Sequence, residues 1–160
     1  MEEKFIKFYK KYYNDVFRLA YSYTLNSQDS EDICQKTFTK FYDYLKRNNF
    51  EEEKVKAFLF KVAINDSKNI LVSSWRKLTS SLEKCDYNLQ TNIKNNDLLD
   101  ALKELNKSYR IPLYLYYYEG YSIKEISGLL KTNESTIKTR LKRGKEKLKE
   151  LMEGNYERNK

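Results

Sequence analysis

Histidine is absent from this sequence, and cysteine occurs only twice, at Cys34 and Cys85. With no imidazole and two distant thiols, no ligand cluster of zinc spacing can be assembled, so no metal site is expected. Neither a nucleophile–base pair, nor a phosphate-cradling glycine loop, nor a paired carboxylate site appears; no catalytic residue, no cofactor and no enzymatic activity is expected. One proline and four glycines leave few backbone breakers. No stretch alternates polar and apolar residues between hairpin turns, so the class expected is all-α. No apolar run approaches the ~20 residues that span a bilayer, and Met1 leads straight into charge. The expectation is a soluble, cytoplasmic protein without membrane insertion, its thiols reduced.

What is abundant is positive charge: 31 Lys and Arg stand against 23 Asp and Glu, a net +8 over 160 residues. A polyanion is therefore a more natural partner than an acidic protein surface. The excess is densest over 134–149, where seven cations from Lys138 to Lys149 face only Glu134 and Glu146.

Length alone permits one domain or two small ones. Phe5, Phe8, Tyr9, Tyr12, Val16, Ala20 and Tyr23 recur at three- and four-residue steps, the apolar face of a first helix, and that row reads as core. Asn26 or Ser27 can cap a second helix, with Asp29, Glu31 and Asp32 in its first turn, where negative charge suits the helix dipole. Ile33, Thr37, Phe38, Phe41 and Leu45 give its buried side, and Cys34 reads as a small packed residue. A third helix is expected from about Val55 to Trp75, burying Phe58, Leu59, Val62 and Ile70.

Residues 78–96 then change to Ser, Asn, Thr, Asp and Lys, with few apolar positions, which reads as a polar linker. Two small helical domains follow from this break, 1–77 and 97–153, with a tail at 154–160. Helical periodicity resumes at Leu98, Leu99, Leu102 and Leu105, Pro112 marks a helix start or a kink, and Tyr114–Tyr118 reads as buried packing.

Ser122-Ile123-Lys124-Glu125 has the form of a capping box. The helix it opens buries Ile123, Ile126, Leu129 and Leu130, and after about three residues Asn133 or Ser135 caps another. That second helix buries Ile137, Leu141 and Leu148, with Gly144 allowing close approach. Alone, its basic run would be a solvated face. On the second helix of a tight pair, Ser135, Thr136, Lys138 and Thr139 occupy the end that meets base edges in a helix-turn-helix. Lys and Arg further along suit phosphates, or guanine where an Arg reaches the groove. The C-terminal domain is read as a DNA-binding helix-turn-helix.

Taken together, the chain resembles the bacterial sigma factors of the extracytoplasmic-function group, within the sigma-70 superfamily. The resemblance rests on Leu102-x-x-Leu105, on Tyr118-Glu119-Gly120-Tyr121-Ser122-Ile123-Lys124-Glu125-Ile126 and on Ser135 to Gly144 in the second domain. In the first it rests on Asp29 to Phe38 and on Phe58 to Asn65. It implies a non-catalytic subunit that binds core RNA polymerase and directs initiation at chosen promoters.

By that resemblance Asp29, Asp32, Gln35 and Lys36 dock on the clamp of the polymerase's largest subunit. Lys61, Asn65, Lys68, Trp75, Arg76 and Lys77, with the loop at about 46–56, handle the melted minus-ten element, and Asn65 matches a polar position beside a pocket for a flipped base. Ser135, Thr136, Lys138, Thr139, Arg140, Lys142 and Arg143 meet the minus-thirty-five element as duplex. An anti-sigma factor is a further partner such proteins have. Three positions depart from the family pattern: Lys36 stands where an acid is usual, Lys131 at a turn often filled by Gly, and Asn106 in place of a common Pro. A stand-alone helix-turn-helix regulator is the competing reading, and it would need a ligand or dimer surface in 1–77. A protein that sequesters a sigma or anti-sigma partner without reading DNA is a third.

Overall fold

A computed structural model describes the backbone of residues 1–77 and 96–158 and the side chains of 1–72 and 100–154. The chain divides into two compact units, Met1–Tyr87 and Asn88–Lys160. Both are helical, and no strand occurs among the described residues. The linker expected at 78–96 lies outside the described residues, apart from Asn96, and so does Cys85.

The first unit packs three long helices against one another, α1 (Glu2–Thr24), α2 (Ser27–Arg47) and α3 (Glu52–Lys77). Local chemistry sets their ends. Glu2 and Glu3 occupy the first turn of α1, and its last turn closes at Leu25, whose left-handed backbone (φ 51°) lets its N–H donate to the Tyr21 carbonyl. Asn26 caps α2, its Oδ1 accepting from the Asp29 N–H at 2.9 Å, while Ser27 lies buried inside the helix. Lys46 and Arg47 sit in the last turn, where cations suit the dipole.

The core of this unit is aromatic. Phe8 and Val16 of α1, Ile33 and Phe41 of α2, and Val55, Leu59, Phe60 and Ile64 of α3 are all but inaccessible. Each such side chain is worth about 1.5–3 kcal/mol in burial. The expected stripe of α2 is buried throughout. That of α3 is rotated: Leu59 is buried, but Phe58, Val62 and Ile70 are only half-buried, and Val55, Phe60, Ala63 and Ile64 take the interior. On α1, Phe5 and Tyr12 are half-buried and Tyr9 is exposed. Their rings cannot all fit between α2 and α3, and they spill over the edge of α2.

The second unit is built from shorter pieces: α4 (Asn96–Glu104), α5 (Lys107–Leu113), a π-helical turn (Tyr114–Tyr118), α6 (Ile123–Leu130) and α7 (Glu134–Arg158). Ala101, Leu105, Ile111, Leu113, Leu115, Ile126, Ile137 and Leu141 form its core. Arg110 is buried among them and donates from Nη1 to the Leu105 carbonyl at 2.8 Å, fastening the end of α4 to α5. Burial lowers the pKa of this guanidinium.

Pro112 is not a helix start. α5 opens at Lys107, where Asn106 Oδ1 accepts from the Ser108 N–H, and Pro112 lies buried inside it. Proline removes a donor from the helical ladder. Beyond Leu113 the next five residues widen into the π turn, closed by the Glu119 N–H on the Tyr114 carbonyl. The widening also overturns the reading of Tyr114–Tyr118 as buried packing: Leu115 is buried, while Tyr116, Tyr117 and Tyr118 are exposed. α7 runs on to Arg158, through most of the expected tail.

Candidate nucleic-acid interface

The capping box at Ser122 forms as read. Ser122 Oγ accepts from the Glu125 N–H at 3.1 Å, and Glu125 Oε2 accepts from the Ser122 N–H at 3.2 Å. α6 buries Ile126 and Leu130 and ends at Lys131 in the left-handed region (φ 52°), where a Cβ costs roughly 1 kcal/mol or more. The Ser127 hydroxyl donates to the Thr132 carbonyl and the Thr132 hydroxyl to that of Leu130, which holds the turn.

α7 then begins at Glu134, with Asn133 in the capping position and its carbonyl accepting from the Ile137 N–H. Ser135, an alternative cap by sequence, is inside the first turn, where its carbonyl takes the Thr139 hydroxyl. Ile137 and Leu141 seat α7 on the core, and Leu148 is half-buried. Gly144 allows the closest contact: a Cβ there would lie 3.0 Å from Tyr109 Cβ and 3.1 Å from Leu113 Cδ1.

With those positions buried, the rest of α7 faces outward. Ser135, Lys138, Thr139, Lys142 and Arg143 are exposed, and Thr136 and Arg140 are half-buried. Helical spacing sorts them into Thr136, Arg140 and Arg143 along one line and Lys138, Lys142 and Lys145 along another. None of these cations has an acidic partner among the described residues. All seven residues expected at the minus-thirty-five element thus lie on the accessible part of one helix, and an incoming phosphate would displace no ion pair among the described residues.

In the first unit, Lys61, Asn65 and Lys68 are exposed at four- and three-residue steps on one face of α3, continued by exposed Val72. The side chains of Trp75, Arg76 and Lys77 lie outside the described residues. Behind this face Asp66 is buried and accepts from Lys40 Nζ at 2.6 Å, which ties α3 to α2. The loop expected at about 46–56 is shorter, since α2 reaches Arg47 and α3 begins at Glu52. Glu52 receives Lys7 at 3.3 Å and Lys11 at 3.4 Å. Those hydrogen bonds, Lys7's first, lower the pKa of its carboxyl.

On α2 the four expected docking residues divide. Asp29, Asp32 and Lys36 follow one line, the two acids half-buried and the lysine exposed. Gln35 turns with Glu31 and Thr39 toward a groove of about 540 Å³ between α1 and α2, floored by Phe5, Tyr9, Tyr13, Phe38 and Tyr42. The sequence reading missed this groove by assigning the row from Phe5 to the core. The available signal was the four-residue series Phe5, Tyr9, Tyr13, Phe17, Tyr21, whose neighbouring rings lie 5.2–6.4 Å apart. Such a series is too wide for one buried stripe. Cys34, opposite, is buried, and burial first and Glu31 second push its thiol up to about 12.

A capped helix-turn-helix whose basic face has no acidic partner among the described residues, on a chain whose other unit is a three-helix bundle, defines a DNA-binding transcription protein. The family models for "Sigma-70 region 2" and "Sigma-70, region 4" match residues 8–77 and 95–148. The chain belongs to the sigma-70 family, in its extracytoplasmic-function group, and as such directs promoter-specific initiation by RNA polymerase. Over 151 residues, 89% of this chain and 91% of the relative, it is 29% identical to the ECF RNA polymerase sigma factor SigM of Bacillus subtilis. To RNA polymerase sigma factor SigV of the same organism it is 28% identical over 134 residues, 81% and 79% of the two chains.

Among solved structures, the fold is shared with the sigma factor RpoE in complex with the anti-sigma factor NepR from Bartonella quintana. The TM-score is 0.78 at 20% identity, over 94% of this chain and 98% of that one. CnrH, in complex with the cytosolic domain of CnrY, gives 0.65 at 17% identity over 96% and 90%. No helix among the described residues is long and apolar enough to cross a membrane.

Proposed function

We propose that the two units divide promoter recognition between duplex and melted DNA while α2 holds the polymerase. Ser135, Thr136, Lys138, Thr139, Arg140, Lys142 and Arg143 engage the minus-thirty-five element as duplex, α7 lying in the major groove. Lys61, Asn65 and Lys68, continued by Trp75, Arg76 and Lys77, take the melted minus-ten strand: cations follow the backbone, and the Asn65 amide can read the edge of an unstacked base. Asp29, Asp32, Gln35 and Lys36 dock on the clamp of the largest subunit. There the groove beside Gln35 offers aromatic area next to acids that can steer a charged partner.

The protein acts in the cytoplasm, where its polymerase is, and without catalytic chemistry of its own. An anti-sigma factor is a further partner, in keeping with the complexes in which RpoE and CnrH were solved. The observation that carries this reading is the cationic surface of α7, without an acidic partner among the described residues, behind a fully formed cap and turn.

The test is to mix the full chain with core polymerase and a library of promoter fragments and to map transcript starts. New starts that depend on the chain are expected, and failure to bind core would overturn the reading. Tight duplex binding without polymerase would instead mark a stand-alone regulator. Arg143→Ala should weaken promoter engagement and leave core association intact. Loss of both together would refute the division of labour.

A further inference from the structure

Between the start of α5 and the first turns of α7 lies an open cleft of about 320 Å³. Its walls include Ser108 and Tyr109 from α5 and Ser135, Thr136, Arg140 and Arg143 from α7. None of the residues lining it is acidic. No hydrogen bond or ion pair within the described residues occupies the hydroxyls of Ser108, Tyr109, Ser135 and Thr136 or the two guanidinium groups. Four hydroxyls and two guanidinium groups thus belong to residues that line one open cleft, and no protein partner among the described residues takes them up.

That inventory suits a tetrahedral oxyanion. A guanidinium offers paired N–H donors that match two phosphate oxygens, and hydroxyls supply further donors. A guanine edge, with acceptors only at N7 and O6, would engage one of the guanidinium groups, whereas the oxygens of a phosphodiester can take both together with the hydroxyls. The cleft is held in place independently of any ligand. Tyr109 is wedged against Gly144, Lys147 Nζ lies 5.7 Å over its ring, and the Asn106 cap fixes the turn that carries Ser108.

We propose that this cleft seats one backbone phosphodiester of the duplex that α7 reads. Arg140 and Arg143 then position the helix and read no base, and Ser108 and Tyr109 of α5 belong to the promoter-binding surface. Sequence discrimination falls to the neighbouring line, to Lys138 and Lys142. The proposal rests on α7 being the duplex reader, but it assigns two of its arginines to a different task and adds two residues outside the helix-turn-helix. A phosphate seat fixes depth and register, because contacts to the backbone orient a protein on duplex whatever its sequence.

The experiment uses the full chain assembled with core polymerase and a promoter fragment that this holoenzyme selects from a randomised library. Affinity is measured against salt for that fragment and for variants substituted singly across the minus-thirty-five element. Arg140→Gln should lower affinity by roughly tenfold or more on every fragment. It should also flatten the plot of log affinity against log salt by about 0.9, the signature of one lost phosphate contact on duplex. The Ser108→Ala, Tyr109→Phe double variant, which keeps the ring and the packing, should lower affinity severalfold, again evenly.

A second arm replaces single phosphates of the fragment with uncharged methylphosphonates. One position should weaken the wild-type complex and leave the Arg140→Gln complex unchanged. A loss that varies with the base sequence would overturn the proposal, as would a double variant that binds like wild type or a scan with no position silent in Arg140→Gln. If the wild-type holoenzyme selects no fragment at all, it is the promoter-reading function that falls.

Discussion

The two units are stabilised by different means, and the difference bears on what each can do. In the first, long helices share an aromatic core, and ion pairs cross between them: Lys7 and Lys11 with Glu52, Lys56 with Asp15, Lys40 with Asp66. In the second, short pieces rely on backbone devices: the Asn106 and Ser122 caps, the left-handed Lys131, the π turn, and the contact at Gly144. Its cations on α7 have no acidic partner among the described residues. A cation already paired with a carboxylate has little to offer a polyanion, whereas the cations of α7, like Lys61 and Lys68 on the outer face of α3, have no acidic partner among the described residues.

The comparison can be broken first at the aromatic core. Phe41 is inaccessible and its ring neighbours Phe5, Phe8, Phe50 and Phe58. Phe41→Ala should cost about 3–5 kcal/mol. Hydrogen exchange should show that loss in α1–α3, and an equal loss in α6 and α7 would mean that the units do not unfold separately. Next is Gly144→Leu, which forces atoms into the space held by Tyr109 and Leu113 and should cost about 1–3 kcal/mol, measured by denaturant unfolding of the second unit. Gly128 has nothing within 4 Å of an added Cβ, so Gly128→Ala should stabilise by up to about 1 kcal/mol.

Ser122→Ala removes the cap of α6 and should cost about 1 kcal/mol. The smallest effect is expected at Glu52→Gln. Its carboxyl is exposed and its pKa is lowered, so its contribution is present above the unfolded pKa and lost as pH falls through the folded one. The substitution should lower the neutral plateau of the stability–pH profile slightly and leave its most acid end unchanged, so that the acid limb flattens. Cys34 has the opposite sign. Its folded pKa is raised to about 12 from an ordinary 9.0, so stability should hold below pH 9 and decline as pH rises toward 12. A native thiol that reacts with alkylating reagents at pH 8 as fast as an unfolded one would contradict its burial.

How far the sequence revealed this arrangement depended on how cleanly each helix separated apolar from polar residues. On α2 the buried stripe stands alone against charged neighbours, and reading and structure agree. On α3, Val55, Phe58, Leu59, Phe60, Val62, Ala63, Ile64 and Ile70 ring much of the helix, so periodicity could not choose which side faces in. Three-dimensional competition for space decided it, as it did for Tyr9. The Ser122 box was legible because its chemistry is confined to four consecutive residues. The π turn was not: five large side chains after a proline look like core, and only the wider backbone turns three tyrosines outward. For the candidate site, the positions proposed on α7 were readable from their place on the second helix of the pair, and those on α3 only through the family resemblance. Ser108 and Tyr109 were not, because they approach α7 only through the folded packing at Gly144.

The partner-free cations of α7 also make ionic strength act in opposite directions on the free and bound protein. Before DNA arrives, Lys138, Arg140, Lys142 and Arg143 repel one another along little more than one helical turn, and dissolved counterions quiet that repulsion. Once DNA is bound, the same counterions compete for its phosphates. Salt should therefore raise the melting temperature of the unliganded second unit over the range in which it drives the protein from a promoter.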